Sequence, residues 1–388
     1  MKRLKVMTIV GTRPEIIKLS RVIAELDKHV DHVLVHSGQN YDYELNQVFF
    51  DQLQIRPPDL YLNAVGETPA ETIGRVIATS DAVMAAERPD ATLFYGDTNT
   101  CLAAISAKRR KIPVFHMEAG NRCFDDRVPE EINRRILDHI SDINLPLTEH
   151  ARRYLLAEGI RPETIIKSGS CMEEVLEYYR PGIENSKILD ELGLTDRGYF
   201  VVSTHREENV DSPELLTTLL RTLDSLVERY HLPIIVSVHP RTRKRLASLG
   251  RELDESGTGL IRASKPFGFL DYVKLQTRAF CVLSDSGTIT EESSLLNFPA
   301  VNLRQAHERP EGMDVGTLVM SGLEPDRVMQ SVDVVTSQHE EGRRVIRVVD
   351  DYKGGAVSQK MVRIILSYTD YINRTVWRRP GNRQIEDA

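Results

Sequence analysis

Three acidic stations in the first half of the sequence stand where short apolar runs end. Asp97 follows Ala91–Tyr95 in Gly96-Asp97-Thr98. Glu118 closes Val114–Glu118 ahead of Ala119-Gly120, and Glu130 or Glu131 opens Pro129-Glu-Glu-Ile-Asn-Arg134. Singly, each has an ordinary explanation: loop capping for Asp97, an ion pair for Glu118, first-turn helix charge for Glu130 and Glu131. Together they are carboxylates from successive strand ends of one sheet, converging on one crevice. Like charges held close raise at least one pKa, which lets a carboxyl act as a general acid near neutral pH.

Other loops suit an anion. Gly11-Thr-Arg13-Pro-Glu15-Ile-Ile-Lys18 leaves a strand through a glycine and opens a helix with a proline, aiming amides at a ligand. Arg13 and Lys18 add cations suited to phosphate. In the second half, Asp285-Ser286-Gly287-Thr288-Ile-Thr290-Glu291-Glu292 places small residues at a helix start, an anion cradle fit for a diphosphate. A glutamate one turn into that helix, turned outward, suits a ribose diol. His205, Arg206 and Arg309 supply balancing positive charge, and His239 ends another strand in His239-Pro-Arg241. The dinucleotide fingerprint is absent. Gly11-Thr-Arg13 lacks its second glycine, Gly257-Thr-Gly259 meets Arg262 where the third is required, and no Walker A loop exists. Carboxylates in one half and an anion cradle in the other suit a nucleotide-sugar.

Positioning these residues requires strand–helix alternation, and the chain supplies it. Strands are expected at Leu4–Val10, His32–His36, Ala91–Tyr95, Val114–Glu118, Ile143–Leu147, Tyr199–Thr204, Ile234–Val238, Leu260–Ala263, Cys281–Ser284 and Ala300–Leu303. Ile16, Leu19, Ile23 and Leu26 form the stripe of a helix starting at Pro14. Near-continuous apolar strands between helices indicate parallel sheets covered on both faces. The alternation runs twice, with a boundary near residue 170. The final helix, expected over Val357–Trp377, has apolar positions on more than one face and so packs back across the junction. A chain of 388 residues fits two domains.

Composition removes several classes. Lys+Arg 50 against Asp+Glu 57 gives a net charge of −7 with no block of like charge, which speaks against nucleic acid. The densest basic patch, Arg241-Thr-Arg-Lys-Arg245, is short and fits a solvated helix face. No apolar run reaches the ~18–20 residues of a membrane span. The apolar part of Met1–Val10 is too short for a signal peptide. Cys101, Cys123, Cys171 and Cys281 stand apart with no CxxC pair, so a reducing cytoplasm is expected, with neither a zinc site nor a disulfide framework.

The ordered motifs resemble the non-hydrolysing UDP-N-acetylglucosamine 2-epimerases over essentially the whole chain. They are Gly11-Thr-Arg-Pro-Glu-Ile-Ile-Lys18, Gly96-Asp-Thr98, Glu118-Ala-Gly120, Pro129-Glu-Glu-Ile-Asn-Arg134, His205-Arg206, Asp285-Ser-Gly287 with Glu291-Glu292, and Glu308-Arg-Pro-Glu311. The resemblance implies a GT-B architecture: two Rossmann-like, doubly wound parallel-sheet domains with the active site in the cleft between them. Residues 1–170, with a C-terminal helix at about 357–388, would carry the sugar and acid/base groups, and residues 171–356 would bind UDP. A homodimer is a family expectation, and no cofactor or metal is implied. The branch most resembled is the UDP-N-acetyl-L-fucosamine synthases of capsule and O-antigen pathways. Its segments are Gly38-Gln-Asn-Tyr-Asp-Tyr-Glu-Leu-Asn46, Met117-Glu-Ala-Gly-Asn-Arg-Cys-Phe124, His205-Arg-Glu-Glu-Asn209 and Lys265-Pro-Phe-Gly-Phe-Leu-Asp-Tyr272. Asn40, Glu207 and Thr288 replace a histidine, an arginine and a glycine of the common enzymes. They speak against allosteric activation by substrate and for a different sugar.

The resemblance implies inversion at C2 by elimination and re-addition of UDP. Asp97, Glu118, Glu130 and His205 would then serve catalysis, while Arg13, Lys18, Arg206, His239, Ser286, Gly287, Glu292 and Arg309 would hold UDP and sugar. The expected reaction converts UDP-2-acetamido-2,6-dideoxy-L-talose to UDP-N-acetyl-L-fucosamine; the alternative is UDP-N-acetylglucosamine to UDP-N-acetylmannosamine. Rival readings are a GT-B glycosyltransferase and a non-catalytic nucleotide-sugar sensor, and clustered carboxylates speak against the sensor. A metal held by Asp97 and Glu118 is a further alternative.

Overall fold

A computed structural model describes residues 3–38, 47–204, 212–238, 245, 259–306 and 309–379. The chain divides into two compact units, residues 1–175 with 353–388, and residues 176–352.

The first unit is built on a parallel sheet of β1 (Lys5–Val10), β2 (Asp31–His36), β3 (Leu60–Tyr61), β4 (Ala91–Tyr95), β5 (Val114–Met117) and β6 (Ile143–Leu145), in the order β3-β2-β1-β4-β5-β6. Residues 6–10 of β1 are all buried, as a central parallel strand covered on both faces must be. One register line runs from Leu34 through Thr8 to Leu93. Met7, Ile9, Val35, Phe94 and Val114 pack into one core layer. Helix Arg13–His29 covers the sheet and packs against helix Val357–Thr375, which therefore belongs to this unit. Glu174 accepts from the amide of Ser358 at 2.9 Å, and Lys360 donates to the carbonyls of Lys167 and Ser168.

The second unit repeats the plan with β7 (Phe200–Ser203), β8 (Ile234–Ser237), β9 (Ile261–Ser264), β10 (Cys281–Ser284), β11 (Ala300–Asn302) and β12 (Val319–Met320). Its order, β12-β11-β10-β7-β8-β9, is the first sheet's order over again. Alternate residues feed opposite layers: Phe200, Val202, Ile234 and Val236 pack with Leu219, Leu223 and Leu226, while Val201, Ile235 and Val282 pack with Leu275 and Ile289.

Among the described residues, ten of the twelve strands lie where apolar runs placed them, several ending one or two residues earlier. Strand β5 ends at Met117, not Glu118; β6 at Leu145, not Leu147; β11 at Asn302, not Leu303. The edge strands β3 and β12 were not foreseen. The first helix starts at Arg13, with Thr12 as N-cap and Pro14 in its first turn, and the last ends at Thr375. Among the described residues, no helix is long and apolar enough to cross a membrane. All four cysteines are buried thiols.

In such sheets ligands bind beyond the carboxyl ends of strands, where the strand order reverses. Those points lie at β1 and β4 in one unit and at β7 and β10 in the other.

Candidate active site

The loop after β1 turns inward. Gly11 has no room for a side chain, because a Cβ there would collide with the hydroxyls of Ser37 and Thr100. The amides of Gly11 and Thr12, expected to face a ligand, instead donate to Oε2 of Glu15, Thr12 at 2.9 Å. Oε1 of Glu15 accepts from the hydroxyl of Thr98 at 2.5 Å. Glu15 is buried, and that burial raises its pKa to about 7 despite the three donors; the charge of Asp97 adds to the rise. This carboxyl thus joins the loop after β1 to the loop after β4.

Lys18 is buried one turn further along the same helix. Its ammonium lies 2.7 Å from Oε2 of Glu118, and the Tyr95 hydroxyl donates to that oxygen at 2.7 Å. The cation expected for phosphate is therefore paired with a proton-transfer candidate. Glu118 has φ +66°, a left-handed conformation that costs a non-glycine residue on the order of 1 kcal/mol or more. Arg13 is half-buried, its guanidinium 5.9 Å from the Phe49 ring.

Asp97 accepts from Nε of Arg134 at 2.6 Å, and its carbonyl accepts from the Asn133 amide at 2.9 Å. Both donors stand on helix Pro129–Ile140. Of the two glutamates that open this helix, Glu131 is fully buried. It accepts from Arg134 and from the Cys123 amide, which hold its carboxyl below the usual range against the effect of burial. Glu130 is half-buried. Among the described residues, no group of three or more His, Cys, Asp or Glu side chains could hold a metal ion.

A second network lies beneath. His116 contacts the carbonyl of Gly96 through Nε2 and Asp138 through Nδ1, both at 2.9 Å. Asp138, fully buried, accepts from the Gly120 amide at 3.1 Å and pairs with Arg122 at 2.8 Å. Burial pushes the Asp138 carboxyl up, but His116 and Arg122 outweigh it and hold the group below its ordinary value. The pair therefore holds the residue before Asp97 and the second residue after Glu118. Gly120 has φ +80°, and a Cβ there would strike the carbonyl of Ala151. Sequence reasoning assigned no role to Glu15, Tyr95, His116, Arg134 or Asp138. One signal was available: Thr12-Arg-Pro-Glu15 carries the spacing of a capping box.

In the second unit, Gly287 caps helix Thr288–Leu296. Ser286 is half-buried, its hydroxyl 3.0 Å from that of Thr288, and its amide donates to Ser284 Oγ at 3.1 Å. Glu291 is fully buried 3.3 Å from Arg309, so the expected balancing cation lies on a carboxylate. Glu292 turns inward, accepting from the Gln276 amide at 2.7 Å; the outward turn expected of a glutamate here is not seen. The expected strand-end residues His205, Arg206 and His239, together with Asn40 and Glu207, lie outside the described residues.

Comparison with known proteins agrees with these two sheets. A family model described as UDP-N-acetylglucosamine 2-epimerase matches residues 24–366. The solved UDP-N-acetylglucosamine 2-epimerase from Rickettsia bellii is 58% identical, with TM-score 0.90 over 97% of this chain and 100% of that one. That from Methanocaldococcus jannaschii, in complex with UDP-GlcNAc and UDP, is 33% identical with TM-score 0.87, over 94% of this chain and 100% of that one. A UDP-2,3-diacetamido-2,3-dideoxy-D-glucuronate 2-epimerase from Pseudomonas aeruginosa is 33% identical over 84% of this chain and 91% of its own length.

Proposed function

Since the chain belongs to the UDP-N-acetylglucosamine 2-epimerase family and is a UDP-sugar 2-epimerase, an isomerase of two GT-B-like Rossmann units, we propose that it inverts C2 of UDP-2-acetamido-2,6-dideoxy-L-talose, giving UDP-N-acetyl-L-fucosamine. The observation that carries the chemistry is the gathering of Asp97, Glu118, Lys18 and Arg134 at the strand ends of the first sheet. A base there removes the C2 proton as the anomeric C–O bond breaks, and the bonding pair leaves with UDP. The resulting 2-acetamidoglycal is reprotonated at C2 on its opposite face while a UDP oxygen re-forms the bond to C1. Two proton-transfer groups flanking C2 are required, and a cationic or amide-rich site must hold the departing diphosphate. Asp97, Glu118, Glu130 and His205 are the residues assigned to catalysis, the three carboxylates as proton-transfer candidates. Ser286 and Gly287 at a helix start, with Arg309, Arg206, His239, Arg13, Lys18 and Glu292, are assigned to UDP and sugar.

The sugar assignment rests on Asn40, Glu207 and Thr288, which depart from the common N-acetylglucosamine enzymes, and on the aromatic pair Tyr41 and Tyr43. The names of the relatives favour a second reading, UDP-N-acetylglucosamine to UDP-N-acetylmannosamine. A panel of UDP-2-acetamido sugars, followed by NMR at C2 with no acceptor present, separates the two. The 6-deoxy-L-talo substrate is expected to turn over ~10–200-fold faster, since one group in an apolar pocket is worth ~1–3 kcal/mol. Equal or better turnover of UDP-N-acetylglucosamine rejects the assignment. Four buried thiols fit a reducing cytoplasm, and a role in surface-polysaccharide synthesis as a homodimer belongs to the same proposal through the family resemblance alone.

A further inference from the structure

We infer that Glu15 is a positioning residue of the reaction centre, joining the loop that carries Arg13 to the loop that carries Asp97 and coupling its charge to that of Asp97. This rests on the assignment of Asp97 to proton transfer. Glu15 accepts from Gly11 and Thr12 on one side and from Thr98, the neighbour of Asp97, on the other. Among the described residues, no cation pairs with Glu15. A structural clamp needs no ionisable group, since a buried charge without a counter-ion is costly and an amide would serve. An acid at this position therefore adds a switchable charge beside Asp97.

The groups around it bear this out in kind. Asp97 repels it from the loop after β4, and Arg134 pairs with Asp97 from helix Pro129–Ile140. Lys18, on the same helix as Glu15, is engaged by Glu118. The Cys101 thiol lies close enough for the Glu15 charge to raise its pKa further, above the effect of burial. Two carboxyls that feel each other titrate as a pair. With Glu15 protonated, Asp97 ionises without a like charge beside it. The charge of Asp97 disfavours ionisation of Glu15, and by reciprocity an ionised Glu15 places a like charge beside Asp97.

The test is the pH dependence of epimerisation in Glu15→Gln, across roughly pH 5–9. The glutamine carbonyl can accept from both amides and its NH2 can donate to Thr98, so geometry is kept while charge and proton are removed. The variant is expected to keep KM within about threefold and to lose or shift the kcat limb near neutrality by about one pH unit. A kcat profile superimposable on that of the unmodified enzyme overturns the inference. Thr98→Val is a second arm: losing a donor that stabilises the ionised form should move the limb to higher pH, and an unmoved limb overturns the inference even if Glu15→Gln fails to fold. Asp97→Asn separates the two levels. A near-normal rate in that variant faults the Asp97 assignment. An inactive Asp97→Asn beside an unchanged Glu15→Gln profile faults the role given to Glu15.

Discussion

Oε2 of Glu118 receives two donors at once, the ammonium of Lys18 and the hydroxyl of Tyr95, each at 2.7 Å. Lys18 also lies 5.3 Å from the Tyr95 ring, so the three side chains form one cluster from β4, the loop after β5 and the first helix, with Lys18 and Tyr95 buried and Glu118 half-buried. The arrangement fixes one oxygen of a carboxylate whose backbone is already held at a positive φ. A proton-transfer group benefits from such fixation, because misplacement of the reacting atom is expensive in rate.

Tyr95→Phe removes the hydroxyl that donates to Glu118 and lies 4.0 Å from the Cys171 thiol, while keeping the ring. A hydrogen bond to a charged group is worth ~1.5–3 kcal/mol, so a stability loss of that order is expected in urea. The same variant should lower kcat about tenfold or more while UDP affinity stays unchanged, if Glu118 transfers a proton. Unchanged kcat in a destabilised variant would reduce Tyr95 to a packing role.

If C2 inverts by elimination, product formed in heavy water carries deuterium at C2. The amide variants Asp97→Asn, Glu118→Gln and Glu130→Gln should each lose ~10²–10⁴-fold in rate. Long incubation should release a little UDP and acetamidoglycal, since the intermediate is not covalently held. Retention of the original C2 proton, or near-normal rates in all three variants, would sink the mechanism.

The helix start at Gly287 offers a test by binding alone. UDP at 100 times its dissociation constant should stabilise the protein by ~2.7 kcal/mol, read as a rise in melting temperature. Ser286→Glu puts a negative charge in the cradle and should abolish the rise. An undiminished shift in the folded variant would place the diphosphate elsewhere.

Two buried carboxyls pull stability in opposite directions with pH. Glu15 has its pKa raised to about 7 from 4.5, so the folded chain binds the extra proton and stability falls as pH rises through that window. The expected loss is on the order of 3 kcal/mol, and Glu15→Gln should lack it. Asp138 is held below 3.8, so its contribution is present above that value and is lost as pH falls through the lower folded value. Asp138→Asn leaves Arg122 and His116 short of a partner and should cost ~3–5 kcal/mol at neutral pH. Thermal melts across pH read both. A Glu15→Gln stability curve parallel to the parent's would contradict the first sign.

The sheet was legible wherever strands were long and apolar on both faces, as in residues 6–10 of β1. Leu60–Tyr61 and Val319–Met320 were not, because two residues are too few to show an alternation. Local chemistry was legible too: Pro14 opens its helix, and Asp97 and Glu118 do stand at strand ends. What was missed is pairing across distance. Arg134 reaches Asp97 over a separation of 37 residues, and Asp138 reaches back to Gly120 over 18. No periodicity encodes such partners. The amides of Gly11 and Thr12 were misread for a related reason: an unpaired donor in sequence takes a nearby acceptor, and Glu15, on the first turn of the helix, supplies it.

Helix Val357–Thr375 completes a unit whose other elements lie before residue 176, with the whole second unit intervening. On a ribosome adding about 5–20 residues per second, those closing turns emerge on the order of ten seconds or more after β6. Until then the face of helix Arg13–His29 that they cover stays bare, while the second unit already has all its strands. Vectorial synthesis therefore makes the unit that starts first the one that finishes last. The nascent chain must keep Met361, Ile364, Ile365 and Ile372 from pairing with anything else before they reach their seat.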